Sequence, residues 1–259
     1  MKEFELTHTN GIHIPHLSAS TINSFINSRF GFYQAKVLGT PFQGNEYTSR
    51  GTAVEHAVNT WIENPGHGDF IGAALTKFDE EIKKAGLSKI AAEDVRETIP
   101  GLVELALNVY MVEFSEHKAV TQRKIETELD GVTRKILGYL DFFQMGVAVR
   151  DSKVVSRTPS KLSQAYVIQG SLYKKATGLP VVFDFFVPNK KPVHKPIALS
   201  DDEAIFGLSY LTAAAKVIEE IEVCESPKRM MELMSFPNLD DFYNDKEKRQ
   251  AARIWGIAY

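Results

Sequence analysis

Two aspartates and a lysine, Asp141, Asp151 and Lys153, stand in two runs of strand-forming residues, 136–144 and 148–155, separated by Met145-Gly146-Val147. Val, Ile, Phe and Tyr suit a pleated, half-buried surface, and Gly146 is free to take a positive φ, so the two runs predict a hairpin. A three-residue loop pairs Gln144 with Ala148 and, counting back, sets Asp141 opposite Asp151; a two-residue loop puts the acids on opposite faces. In the first register the two Cβ atoms are about 5 Å apart, where facing like charges destabilise the pairing unless something neutralises them. A divalent cation does so, and a cation held by two carboxylates beside an ammonium is suited to acting on a phosphodiester. Lys153 lies two residues past Asp151 and shares its face with Leu137, Tyr139, Phe143, Val149 and Val155. An apolar face broken by two acids and a lysine departs from strand patterning, as functional sites do; the competing reading is an ordinary cross-strand ion pair on a solvated face.

Further residues could serve the same chemistry. His56 sits near the edge of a helical stripe formed by Ala53, Val54, Ala57, Val58, Trp61 and Ile62. A neutral imidazole is a good ligand for manganese and a tolerable one for magnesium, although a helix-edge histidine with no such role is commoner. Gln169 and Tyr173, four apart, share a helix face and could bind a scissile phosphate or the catalytic groups. Arg134, Lys135, Arg150, Arg157 and Lys161 would supply the positive potential that a DNA backbone needs, and each taken singly is equally well an exposed charge.

The elements that must position these residues follow from periodicity and punctuation. A small hairpin is expected around Asn10-Gly11, then a helix from the Ser/Thr-rich start at Leu17-Ser18 to about Val37, a loop over 40–50, and a helix from Gly51. Helical patterns fill 71–85, 90–98 and 101–116, with Pro100 separating the last two. A strand over 121–129, a turn at Asp130-Gly131 and a return along 132–144 make, with 148–155, a three-strand meander. A helix over 160–177 follows, ended by Gly178-Leu179-Pro180, and the apolar run 181–187 reads as a buried strand. A basic, proline-broken loop over 189–196 leads to a helix over 201–223 with Ser200 as N-cap, and the aromatics of the tail are expected to pack back. The order is β-β-β-α-β.

At 259 residues the chain is long enough to bury a substantial core, and its composition is that of a globular protein. A net charge of −3 leaves nucleic-acid contact to local clusters of Lys and Arg. The lone Cys224 excludes internal disulfides and any four-cysteine zinc or iron–sulfur site within the chain. No apolar run has signal-peptide or membrane-span length, so a cytoplasmic protein without membrane contact is expected.

Taken together, these pieces resemble the PD-(D/E)xK nuclease superfamily, and within it the RecB-like and phage exonuclease branch. Leu17-Ser18-Ala19-Ser20-Thr21-Ile22 with Phe32-Tyr33 looks like that branch's first helix, and Gly51-Thr52-Ala53-Val54-Glu55-His56 resembles its Gly-x-x-x-x-His motif. Gly138-Tyr139-Leu140-Asp141 resembles Gly-x-x-Asp, Asp151-Ser152-Lys153 resembles (Asp/Glu)-x-Lys, and Gln169-Gly170-Ser171-Leu172-Tyr173 resembles Gln-x-x-x-Tyr. Each motif is short, but five in the right order are specific; the match covers roughly Leu17 to Val187 and leaves the helical stretch from Trp61 to about Lys118 unexplained. The middle residue Ser152 is less usual than an aromatic.

The resemblance implies an α/β fold: a restriction-endonuclease-like core with a central mixed β-sheet flanked by helices, plus a helical insert. It implies one nuclease domain over 1–259, with a helical N-terminal part and insert at 17–118, a catalytic core at 119–187 and a C-terminal helix and tail at 188–259. His56, Asp141, Asp151 and the carbonyl of Ser152 or Val154 would hold Mg²⁺ or Mn²⁺, with Lys153 acting on the attacking water or the developing charge. Gln169 and Tyr173 would orient the strand. Many members carry an iron–sulfur cluster on four cysteines; with Ser28 near the first such position and no cysteine after Cys224, none is expected.

The expected activity is a metal-dependent DNA exonuclease of phage or bacterial recombination and repair. The alternatives are an endonuclease of the same fold and a nuclease-dead DNA-binding or assembly subunit, against which the intact set of site residues speaks. Expected partners are DNA as double-stranded ends or single strands, a single-strand annealing protein or helicase, and further copies of the chain, in a bacterial or phage-infected cell.

Overall fold

The computed structural model describes residues 14–40, 44–66, 68–235 and 249. In chain order the elements are β1 (Leu17–Ser18), α1 (Ala19–Asn27), α2 (Arg29–Lys36), α3 (Glu46–Glu63), α4 (Phe70–Lys84), α5 (Glu93–Arg96) and α6 (Ile99–Glu113). They continue with β2 (Ala119–Thr127), β3 (Ile136–Gln144), β4 (Ala148–Val154), α7 (Gln164–Thr177), β5 (Val181–Val187), β6 (Val193–Ala198), α8 (Asp201–Val223) and α9 (Pro227–Met234). The six strands form one mixed sheet in the order β1-β3-β4-β5-β6, with β2 also paired to β3. This is the α/β architecture expected of the sequence, and β2-β3-β4-α7-β5 is its β-β-β-α-β core.

The chain divides into two compact units, Met1–Phe42 with Glu126–Leu137 and Leu208–Tyr259, and Gln43–Ile125 with Gly138–Gly207. In the first, Ser18 caps α1 by accepting from the Thr21 amide at 3.1 Å, and β1 runs parallel to the start of β3. The expected single helix to Val37 is broken at Ser28, which turns extended (φ −149°) and caps α2 by accepting from the Gly31 amide at 3.0 Å. The helix α9, on a segment that carried no assignment, lies against α2, where the Tyr33 hydroxyl donates to Glu232 at 3.2 Å.

The second unit holds most of the sheet. Its apolar core joins α3, α4 and α6 to Phe142 of β3 and Phe186 of β5, with Ala53, Val54, Ile99, Leu102, Val103 and Tyr110 all buried. The helix α3 begins at Glu46, inside the expected loop, because Asn45 and Thr48 form a reciprocal capping box. Pro100 sits in the first turn of α6 rather than before it, where its missing N–H costs nothing. The periodic stretch 90–98 reduces to the one-turn α5.

Between β4 and β5 the chain crosses over through α7, and the two strands pair in parallel from Val149↔Val181 to Val154↔Phe186. Gly178, at φ +71°, ends α7 in the left-handed cap its sequence announced. The basic segment expected as a loop instead forms β6, antiparallel to β5 with Pro196 across from Asp184. A strand at the end of the sheet order tolerates a proline, since one of its edges needs no donor. Ser200 caps α8, accepting from the Glu203 amide at 3.2 Å while Glu203 takes the Ser200 amide at 3.0 Å. The expected hairpin around Asn10-Gly11 and the aromatic tail lie outside the described residues.

Candidate active site

The hairpin takes the register of the three-residue loop: Gln144 pairs with Ala148, Phe143 with Val149 and Phe142 with Arg150, and Gly146 turns the chain at φ +73°. One step further, Asp141 Oδ2 accepts the backbone N–H of Ser152 at 3.0 Å, so the Asp141 side chain takes up a donor of β4. Asp151 is fully buried. Its Oδ1 forms an ion pair with the Lys153 ammonium, and its Oδ2 accepts from Gln169 Nε2 at 3.0 Å.

The helix α7 braces this arrangement. The Gln169 amide also donates to the Tyr173 hydroxyl at 2.6 Å, which in turn donates to the Tyr139 carbonyl at 2.8 Å. Asp151, Gln169, Tyr173 and the backbone of β3 are thus joined by one chain of hydrogen bonds. The close approach depends on Gly170, where a Cβ would stand 2.9 Å from the Phe183 ring. Three residues before Gln169, on the same helix face, the Tyr166 ring rests 5.5 Å from Phe183 and 5.5 Å from Phe185. The Lys153 ammonium lies 5.9 Å from its centre. Tyr166 escaped the sequence reading because an aromatic at a helix start resembles any core residue.

A third acid joins the site from α3, and it is Glu55 rather than His56. Glu55 is half-buried and interacts electrostatically with Lys153, Asp151 and Asp141. Its Oε1 accepts from Gln122 Nε2 of β2 at 2.6 Å. His56 is exposed. The two residues flank the buried stripe of α3 on opposite shoulders, about 130° to either side of its centre at 3.6 residues per turn, so only one of them can face the strands. His56, expected beside the acid pair, is thus turned to solvent, and Glu55 is the residue of α3 that shares the electrostatic environment of Asp151 and Lys153.

The charges are unbalanced. Three carboxylates face one ammonium, and burial, followed by repulsion from Asp151, holds the Asp141 carboxyl well above the usual carboxylate range. Asp151 is also raised by burial, against the pull of Lys153, and Glu55 is raised by burial with Asp151 adding to the rise. Burial alone would depress Lys153, but Asp151 and Asp141 outweigh it and keep the ammonium charged. Burial and the same two aspartates push the Tyr173 phenol up, so it stays protonated as a hydrogen-bond donor.

Among the described residues no three His, Cys, Asp or Glu side chains stand ready-grouped around one point for a metal ion. The donor set nevertheless fits a hard divalent cation: it is all oxygen, carries more negative than positive charge, and its acids repel one another as they stand.

The basic residues fare unequally. Arg150, expected at a DNA surface, is buried on the other face of β4. Its Nε and Nη2 each lie 2.9 Å from the Asp184 carboxylate and its Nη1 2.8 Å from Glu113. His194 Nε2 at 2.8 Å and the Tyr110 hydroxyl at 3.3 Å complete that structural network around Asp184. Strand alternation explains the correction, since the residue before Asp151 must point away from it. Arg134 is likewise engaged within its own unit, with Glu219, Glu222 and the Ile14 carbonyl. Lys135 is on the surface, 3.7 Å from Glu128. Arg157 and Lys161 are exposed in the connection from β4 to α7.

No helix among the described residues is long and apolar enough to cross a membrane. Neither a protein-family model nor a curated protein matches the chain. LHK-Exo, solved in complex with dAMP, shares 13% identity over 72% of this chain and 98% of its own at a TM-score of 0.35. A protein from Eubacterium rectale, provisionally described as an exonuclease, shares 17% identity over 83% of this chain and 87% of its own, at a TM-score of 0.55. At that level of likeness the chain shares its fold, a mixed sheet flanked by helices.

Proposed function

We propose that the protein is a deoxyribonuclease of the PD-(D/E)xK superfamily that hydrolyses phosphodiester bonds with Mg²⁺ or Mn²⁺, acting on DNA ends as an exonuclease. The observation that carries this reading is the convergence of Asp141, Asp151 and Lys153 on one hairpin face with Gln169 and Tyr173 locked onto Asp151. Asp141 and Asp151, with Glu55 in place of His56, are the residues that would hold the cation. When bound there, it supplies Lewis-acid polarisation of the scissile phosphate and lowers the pKa of the attacking water. Lys153, held charged at the edge of the acid pair, stabilises the negative charge that develops on the phosphate oxygens. Gln169 and Tyr173 fix the orientation of Asp151, as partners behind metal-binding groups do. Arg157 and Lys161 are the exposed cations of the expected set on this unit, and their place is against the DNA backbone.

Recombination or repair in a bacterial or phage setting is the role that suits such an activity, with an annealing protein or helicase as companion. Retention of all three groups Asp141, Asp151 and Lys153 favours an enzyme over a nuclease-dead DNA-binding subunit. The test is digestion of end-labelled linear and closed circular DNA with Mg²⁺, Mn²⁺ or EDTA, beside Asp151→Ala. Loss of linear DNA alone supports an exonuclease and nicking of circles an endonuclease; equal activity in EDTA or in the variant refutes the assignment.

A further inference from the structure

One residue of β2 has a backbone that its side chain does not justify. Gln122 adopts φ +50°, the left-handed region, and is the single non-glycine residue to do so among the described residues. The alternation of β2 fails at the same place: Gln122, Arg123 and Lys124 are exposed in succession between buried Ala119 and Ile125. A residue in the left-handed region together with broken alternation is the pattern of a bulge, and bulges re-aim side chains. Glutamine has neither the freedom of glycine nor the short side chain with which asparagine relieves that conformation. The strain has a visible result, because the turned side chain puts Nε2 2.6 Å from Glu55 Oε1.

We propose that Gln122 is a positioning residue of the active site, whose strained backbone aims its amide at Glu55 and holds that carboxylate toward Asp151 and Lys153 for service to a divalent cation. The inference rests on the metal-dependent reading above for its consequence, but not for the hydrogen bond itself. Gln122 donates to Oε1 of Glu55, a carboxylate that also takes a side-chain hydrogen bond from Asn59, one turn further along α3. Without it, Glu55 is held only by Asn59 of its own helix, with nothing from the strands to aim it. Strain retained at a functional site is expected where the same geometry serves function.

Two measurements on the intact chain test this, both without DNA. The first is thermal unfolding in EDTA of wild type, Gln122→Gly, Glu55→Gln and the double variant. Glycine is at ease at φ +50°, so Gln122→Gly keeps or raises the melting temperature, and its effect changes in the Glu55→Gln background because the pair is coupled. Strict additivity overturns the pairing. The second is Mn²⁺ binding followed by the electron paramagnetic resonance of the free ion. Gln122→Gly weakens Mn²⁺ affinity by about tenfold or more, the usual cost of removing a partner behind a metal ligand, and has no further effect once Glu55 is Gln.

A well-folded Gln122→Gly with wild-type Mn²⁺ affinity overturns the proposal, as does equal weakening in both backgrounds. Should Gln122→Gly unfold, Gln122→Asn, tolerant of the left-handed region but too short to reach Glu55, carries the same expectations. A wild-type protein that binds no Mn²⁺ overturns the metal-dependent reading and the role assigned to Gln122 in it, while the stability cycle still decides whether the two side chains are paired.

Discussion

Lys153 and Asp141 make opposite demands on stability although they sit in one site. Lys153→Met leaves Asp151 buried without its counter-charge, which costs roughly 3–5 kcal/mol in denaturant titration. The same change removes a charge stabiliser from the reacting phosphate, and DNA hydrolysis should fall by about 10²–10³. Asp141→Asn keeps an oxygen for the Ser152 amide while deleting a carboxylate that its neighbours repel. In EDTA this variant should melt higher than wild type, and it should fail to cleave DNA. A lower melting temperature for Asp141→Asn would mean the acids are not in conflict. Such a gain in stability with loss of activity marks a residue kept for function.

At the scale of elements, the site depends on how closely α7 packs on β5. Gly170→Ala places a Cβ 2.9 Å from Phe183 and 3.2 Å from Leu199, both of them buried side chains packed in the core. The cost is about 1–3 kcal/mol of overpacking. Because Gln169 is the next residue, the same displacement draws its amide off Asp151, so activity falls more than stability does. Gly207→Ala, which meets the Val167 carbonyl at 2.8 Å on the outer side of α7, is the control: it destabilises without moving Gln169 away from β4. The β3–β4 hairpin was legible from its residues because Gly146 and the alternation agree on one register. Strand β6 was not, since Pro192 and Pro196 argue for a loop unless the segment is known to lie at a sheet edge.

For the molecule as a whole, two groups of acids give stability opposite pH dependence. Asp141, Asp151 and Glu55 have folded pKa values raised above their unfolded ones, so their ionisation opposes folding, and stability is gained as pH falls through the raised values toward the ordinary carboxylate range. Asp184 is the reverse: burial works against it, but hydrogen bonds from His194 and Arg150 pull it below the usual range. Its contribution is present above the unfolded value and lost as pH falls through the folded one. Unfolding in EDTA should therefore show stability rising as pH is lowered through the raised values of these three acids, then falling below about 4 as Asp184 is forced to take a proton. Saturating Mg²⁺ should invert the first limb by rewarding the ionised acids, and an identical profile with and without Mg²⁺ would argue against a cation at this site.

The β-β-β-α-β order, the hairpin register and the grouping of Asp141, Asp151, Lys153, Gln169 and Tyr173 could be read from the chain because each rests on local rules: turn length, strand alternation and helical spacing. Those rules relate residues that are near in sequence. Which shoulder of α3 faces the strands, Glu55 or His56, depends on how the helix is rolled against β4, and both residues are equivalent by periodicity. The same holds for Arg150, a basic residue beside the acids in sequence that alternation and the Asp184 pocket carry to the opposite face. The aim of Gln122 at Glu55, 67 positions away, is likewise a product of packing. Tertiary structure alone decided these three, because contacts between distant segments carry no local signature.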